Sequence, residues 1–213
     1  MPEMISRACK QLFLITSILI LFLSAGLQAG IRVSPGFKLG GGISSIFGQD
    51  TYQQEWQPSL QVGLSVELTL KGPLAAAVEL NFVRRGSVYR LEADGLDYRE
   101  RYLFDYLEVP FLAKFYFASA RKMTFYVYAG PSVALNLKAR LRVTLDDLEE
   151  TVEVDNLQGT DLLLTGGAGT TISLKPGSLI LEARYCHGLK SVATEPEADL
   201  RNKGLVFLAG FRF

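Results

Sequence analysis

His187 is the sole histidine of the chain, so a histidine-cluster metal centre is ruled out. A lone histidine can still take a proton from a hydroxyl nucleophile within hydrogen-bond reach. On an alternating strand His187 shares the side of Leu181 and Tyr185. The outward positions expected beside it, Leu162, Leu164 and Leu205, offer no nucleophile, and Ser191 falls in a loop. An interfacial or capping histidine is the simpler reading. The glycine runs at 40–42 and 166–169 neither open a helix nor carry a phosphate-loop lysine; within strands they make room for inward side chains. The acidic stretch DDLEETVEVD, Asp146 to Asp155, lacks the ligand spacing and central glycine of a calcium loop. It reads instead as the returning arm of a hairpin. With the turn centred on Asp147 and Leu148, Arg142 faces Glu153 and Arg140 faces Asp155, while Val143 faces Val152 and Leu141 faces Val154. No catalytic residue, cofactor or metal is expected.

A second set of charges falls on one side of alternating segments. Glu67, Glu79, Glu108 and Glu182 oppose Lys38, Lys114, Arg184 and Arg212, four of each sign. Isolated charges in a narrow interior are costly, whereas paired and hydrogen-bonded ones are tolerated. They are expected to form a neutral network that plugs the interior, with Tyr126 and Tyr128 adding bulk. The alternative places several of them near the ends, in water.

The elements that must position these groups are strands. SLQVGLSVELTL, Ser59 to Leu70, alternates large aliphatic with small or polar residues throughout, the period of a strand with two unlike faces. A soluble sandwich would bury the aliphatic row; a transmembrane barrel would turn it to lipid. Eight such segments are predicted: Arg32 to Ser44, Ser59 to Leu70, Leu74 to Arg85, Tyr106 to Phe117, Thr124 to Leu137, Asp161 to Leu174, Leu179 to His187 and Gly204 to Phe213. The connections between them alternate long and short, as in outer-membrane barrels. Asp94-Gly95, a favourable turn pair, suggests a second projecting hairpin. The small and polar rows are rich in glycine, as a narrow barrel interior requires. Phe37, Phe115, Phe125, Phe211 and Phe213 gather toward the short-turn side, and Phe82 and Tyr185 toward the other, as interface girdles do. Trp56 is read as a further interface residue, with an exposed anchor for a partner as the alternative.

Residues 1–29 read as an export signal: Arg7 and Lys10, the run LFLITSILILFLSAGL, and Ala29 before the cut. An uncleaved anchor is the alternative. The remainder, 30–213, is expected to be one domain. Cys186 is then alone, so no intrachain disulfide is expected. Lys+Arg and Asp+Glu balance at 22 each, which excludes a nucleic-acid partner on charge grounds.

DYLEVPFLAKF at Asp105 to Phe115, YAGPSVAL at Tyr128 to Leu135, LTGGAGT at Leu164 to Thr170, LEARYCHGL at Leu181 to Leu189 and the closing GFRF resemble the PorT-type outer-membrane β-barrel family of Bacteroidetes-like bacteria. The resemblance spans most of the expected mature chain. It implies an integral outer-membrane protein, and the family's namesake is associated with type IX protein secretion. A terminal strand ending in an aromatic, here Phe213, resembles the signal read by the barrel-insertion machinery. The expectation is an all-β, eight-stranded antiparallel up-and-down transmembrane barrel in the bacterial outer membrane, with both termini periplasmic. Its role is non-enzymatic, in binding or assembly through external hairpins or the periplasmic rim, with lipid and an envelope or secretion protein as partners. A narrow pore for small solutes is the alternative, and a lipid-modifying enzyme the less favoured one.

Overall fold

In a computed structural model the described residues are 32–48, 54–93, 96–145, 148–153, 158–194 and 199–213, with the backbone alone at 92–93 and 96–97. The export signal expected at 1–29 lies outside them. The elements are β1 (Arg32–Phe47), β2 (Gln54–Thr69), β3 (Leu74–Ala93), β4 (Leu96–Ala120), β5 (Met123–Leu145), β6 (Leu148–Glu153), β7 (Thr160–Ser173), β8 (Ser178–Gly188) and β9 (Arg201–Arg212).

All pairings are antiparallel, and the sheet runs β4-β3-β2-β1-β9-β8-β7-β5 before β4–β5 pairing closes it into an eight-stranded ring. Closure leaves no unpaired edge in the barrel wall, the condition for strands to cross hydrocarbon. β6 stands outside the ring, pairing with β5 beyond the barrel. Connections at one end are tight. Gly72 in the β2–β3 turn has φ 69°, a left-handed conformation that costs glycine little.

The outer face is apolar and open. Leu64 is 65% exposed and Phe207 62%, and Leu39, Val62, Phe115, Val127, Leu164 and Leu181 are exposed on the same wall. Among the inward residues Lys38, Glu79, Glu108 and Arg184 are buried. This inversion of ordinary burial means that the surrounding solvent is hydrocarbon. A soluble core would hide the leucines and expose the charges.

Strands run further than their apolar rows. The segment 86–105, read mostly as a loop, is paired from Arg85↔Phe104 up to Ala93↔Leu96, and β5 continues alongside to Tyr98↔Leu145. β2 begins at Gln54, before the expected Ser59, and passes a bulge between Trp56 and Leu60. The ladder is held by backbone hydrogen bonds, so polar side chains do not end it. They mark where hydrocarbon ends.

The β5–β6 hairpin forms with a register two residues from the predicted one. Arg140 faces Glu153, Leu141 faces Val152, Arg142 faces Thr151 and Val143 faces Glu150. The Arg142–Glu153, Arg140–Asp155, Val143–Val152 and Leu141–Val154 pairings are thus corrected; Asp155 and Val154 themselves lie outside the described residues. Closing the hairpin between Leu145 and Leu148 sets these two leucines opposite each other. A shift of two keeps every residue on its expected face.

Candidate functional site

The lumen is built from the inward rows. Strand alternation puts Lys38 on β1, Glu67 on β2, Glu79 on β3, Lys114 on β4, Glu182 and Arg184 on β8 and Arg212 on β9 into one bonded network. Lys38 Nζ donates to Glu79 at 2.6 Å and to Glu182 at 2.7 Å. Arg184 grips Glu79 with both terminal nitrogens, at 2.8 and 3.0 Å, and reaches Glu182 at 3.1 Å. Lys114 donates to Glu67 at 3.0 Å and lies 3.4 Å from Glu182. Arg212 closes the network onto Glu67. Tyrosines take up the remaining acceptors: Tyr116 donates to Glu67 and Tyr126 to Glu182, each at 2.7 Å. The rings need space, which the facing strand provides as glycine. Tyr126 faces Gly169 and Tyr128 faces Gly167; a Cβ on Gly169 would stand 2.7 Å from the Tyr126 ring.

Glu108, the eighth of the expected set, is not part of this network. It pairs with Arg85, fully buried beside it. Sequence reasoning missed Arg85 by ending the strand there and leaving the residue at the rim, although it shares the parity of Glu79 and Asn81. Asp161 was passed over in the same way. It is buried and accepts from Asn202 at 2.8 Å. Farther along, Val83, Phe104, Tyr106, Ala134, Leu163 and Cys186 pack into an apolar layer across the lumen. At the short-turn end a polar cavity of about 470 Å³ opens above Glu67, Tyr116 and Arg212. The interior is filled in two stacked layers, ionic and apolar.

At the opposite end β3, β4, β5 and β6 extend as a four-stranded ribbon. The face continuous with the lumen carries Tyr89, Leu91, Tyr98, Tyr102, Leu141, Val143, Leu145, Leu148 and Val152, with Glu100 and Glu150 on either side of Val143. Leu148 is 75% exposed, and Leu91, Leu145 and Val152 are exposed as well. Among the described residues the far side of β6 has no strand partner. Glu100 receives hydrogen bonds from the Tyr98 and Tyr102 hydroxyls. Burial, reinforced by the Glu100 carboxylate, pushes the Tyr102 phenol up to about 12. Of the expected hairpin residues, Arg140 donates to Asp105 at 2.8 Å and Arg142 lies 3.3 Å from Glu149. Glu153 pairs with Lys138, whose hydrogen bond holds that carboxyl below its usual range.

His187 stacks on Phe47 at 4.7 Å and meets the Tyr185 hydroxyl at 3.4 Å. Its cross-strand neighbours are Leu164 and Lys203, and no serine or threonine among the described residues bonds to it. Lys203 lies over both Phe47 and Trp56. Among the described residues no cluster of ligating side chains could hold a metal ion. Phe213 packs against Phe37 and Phe211 at the other rim.

Residues 21–194 match the family described as outer membrane protein beta-barrel domain. Among solved structures, Neisserial surface protein A is similar at 15% identity, with 85% of this chain and 99% of that one covered and a TM-score of 0.48. The attachment invasion locus protein Ail of Yersinia pestis is similar at 15% identity over 85% and 99% of the two chains, with a TM-score of 0.42. OprG of Pseudomonas aeruginosa is similar at 12% identity over 84% and 95%, with a TM-score of 0.38. No curated protein matches the sequence. With its closed ring, inverted burial and family match, the chain belongs to the outer-membrane β-barrel domain family and is an integral protein of the bacterial outer membrane.

Proposed function

We propose that this protein is a non-enzymatic docking element of the outer membrane, with the ribbon outside the cell and both termini in the periplasm. Its ribbon binds another envelope or secretion protein, a role consistent with its resemblance to PorT-type barrels. The observation that carries the reading is the ribbon's exposed apolar and tyrosine face, which ends at the edge of β6 that has no strand partner among the described residues. Exposed leucines and valines gathered on one sheet face are a liability unless something covers them, and an unpaired strand edge accepts an added strand. The filled lumen supports docking over conduction, and the surroundings of His187 support a non-enzymatic role. A photo-crosslinker at Val152 in intact cells tests this reading. One envelope protein is expected to be captured, and to be lost when residues 88–101 and 141–152 are replaced by short turns. Absence of any adduct together with steady conductance in planar bilayers would contradict the reading and favour a pore; altered lipid A on overexpression would favour an enzyme.

A further inference from the structure

The bonded network in the lumen does not balance. With Glu108 paired elsewhere, Lys38, Lys114, Arg184 and Arg212 share Glu67, Glu79 and Glu182, four cations against three carboxylates. No other ion pair among the described residues supplies the missing anion, and an uncompensated charge in a narrow interior is costly. Of the four cations, Arg212 lines the polar cavity of about 470 Å³ at the short-turn end, a volume within the range of small-ligand pockets, ~300–1,000 Å³. Its bonds to Glu67 and to the Tyr116 hydroxyl both leave from Nη1, so the rest of the guanidinium fork is left for an acceptor in the cavity. Glu67 is already held by Lys114 and Tyr116 as well. The buried Ser34 lines the same space. Arg32 lines it too and shares the inward parity of Ser34 and Lys38, so it stands over the opening and away from the bilayer. Around the opening the tight turns are basic. Lys71, Arg121, Lys122 and Lys175 are exposed, none is in an ion pair among the described residues, and the turns 70–73, 121–122 and 174–177 hold no Asp or Glu. In a chain whose charges balance as a whole, side-chain charge at this end is positive apart from the bonded Glu67.

We propose that the short-turn end of the barrel binds an acidic, extended segment of a periplasmic protein, one carboxylate of which enters the cavity against Arg212 and Arg32 while its neighbours lie on the basic turns. A carboxylate accepts from a guanidinium fork through both oxygens, and it gives the network its fourth anion. Membrane phosphates surround the barrel wall, whereas the cavity lies inside the ring of strands. A ligand reaches it from the aqueous side, on a chain narrow enough to enter. Clustered cations are a recurrent means of recognising acidic segments. The inference shares with the reading above the orientation of the barrel, and it uses no part of the ribbon.

The purified full-length mature chain, folded in zwitterionic detergent, is titrated calorimetrically with end-capped hexaglutamate and with end-capped hexaglutamine as the uncharged counterpart. Hexaglutamate is expected to bind about tenfold more tightly, the weight of one charge-assisted contact. Arg212→Gln, which leaves Lys114 and Tyr116 on Glu67, removes most of that preference. Neutralising the exposed turns by Lys71→Gln, Arg121→Gln, Lys122→Gln and Lys175→Gln together weakens it by a smaller factor. Equal affinity for the two peptides overturns the proposal. So does an unaltered preference in Arg212→Gln, which makes the turns a general polyanion surface, or loss of hexaglutamate binding when phosphatidylglycerol is added to the micelle, which makes them a membrane-phosphate surface. If Arg212→Gln does not fold, Ser34→Leu decides the matter. Filling the cavity must lower hexaglutamate affinity with the turns intact, and an unchanged value overturns the proposal. Protein in detergent has no partner on its ribbon and no inside or outside, so this titration and the ribbon crosslink fail independently.

Discussion

Glu79 illustrates how closely the lumen charges depend on one another: it accepts from Lys38, from both terminal nitrogens of Arg184 and from Asn81. Glu79→Ala therefore leaves Lys38 and Arg184 to share Glu182 alone, and an expected loss of ~3–5 kcal/mol follows from the uncompensated buried charge. Urea unfolding of protein folded into lipid vesicles measures it. Gly169→Val drives a side chain into the Tyr126 ring, and overpacking of this kind costs about 1–3 kcal/mol by the same assay. Much of this layer is visible in strand parity. Lys38, Glu67, Lys114 and Glu182 can be assigned to one interior because each sits between apolar residues that face the other way. Which carboxylate meets which cation is not visible, because that depends on barrel stagger. Glu108 accordingly bonds to Arg85 and stands apart from the other seven.

The ribbon makes predictions at the level of strands. Cysteines replacing Arg140 and Glu153 should form a disulfide on mild oxidation, since these positions face each other; the pair Arg142→Cys with Glu153→Cys should not, and the reverse result would restore the earlier register. The Tyr102 phenol, raised above its ordinary 10.0 to about 12, adds stability in full below pH 10. That contribution falls away as pH rises toward the folded value. Protection factors at 98–104, which divide out the intrinsic base-catalysed exchange rate, should therefore fall between these limits, and Tyr102→Phe should reduce this fall; an unaltered fall in the variant would contradict the assignment. The sequence shows that a hairpin exists here, through matching faces and the turn pair at Asp94-Gly95. It conceals the hairpin's extent, because Arg99, Glu100 and Arg101 resemble loop residues when they are in fact ladder members whose polarity reflects water on both sides. The register is equally concealed, since a two-residue slip preserves each face and leaves the hydrophobic pattern nothing to discriminate.

For the molecule as a whole, class and closure were readable from features that repeat: eight alternating segments, unequal connections and a glycine-rich polar side. What binds to it is written in side chains that occur once, on a surface with no repeating pattern to read. Everything about its placement depends on hydrocarbon touching the leucine-rich wall. The direct measurement puts a single fluorophore there, Leu64→Trp with Trp56→Phe, in vesicles containing acyl-brominated phosphatidylcholine. Leu64 is 65% exposed on that wall, so strong quenching by the bromines and little by aqueous acrylamide is the predicted result. Ready quenching by acrylamide, or indifference to the bromines in protein that stays soluble without detergent, would contradict the account.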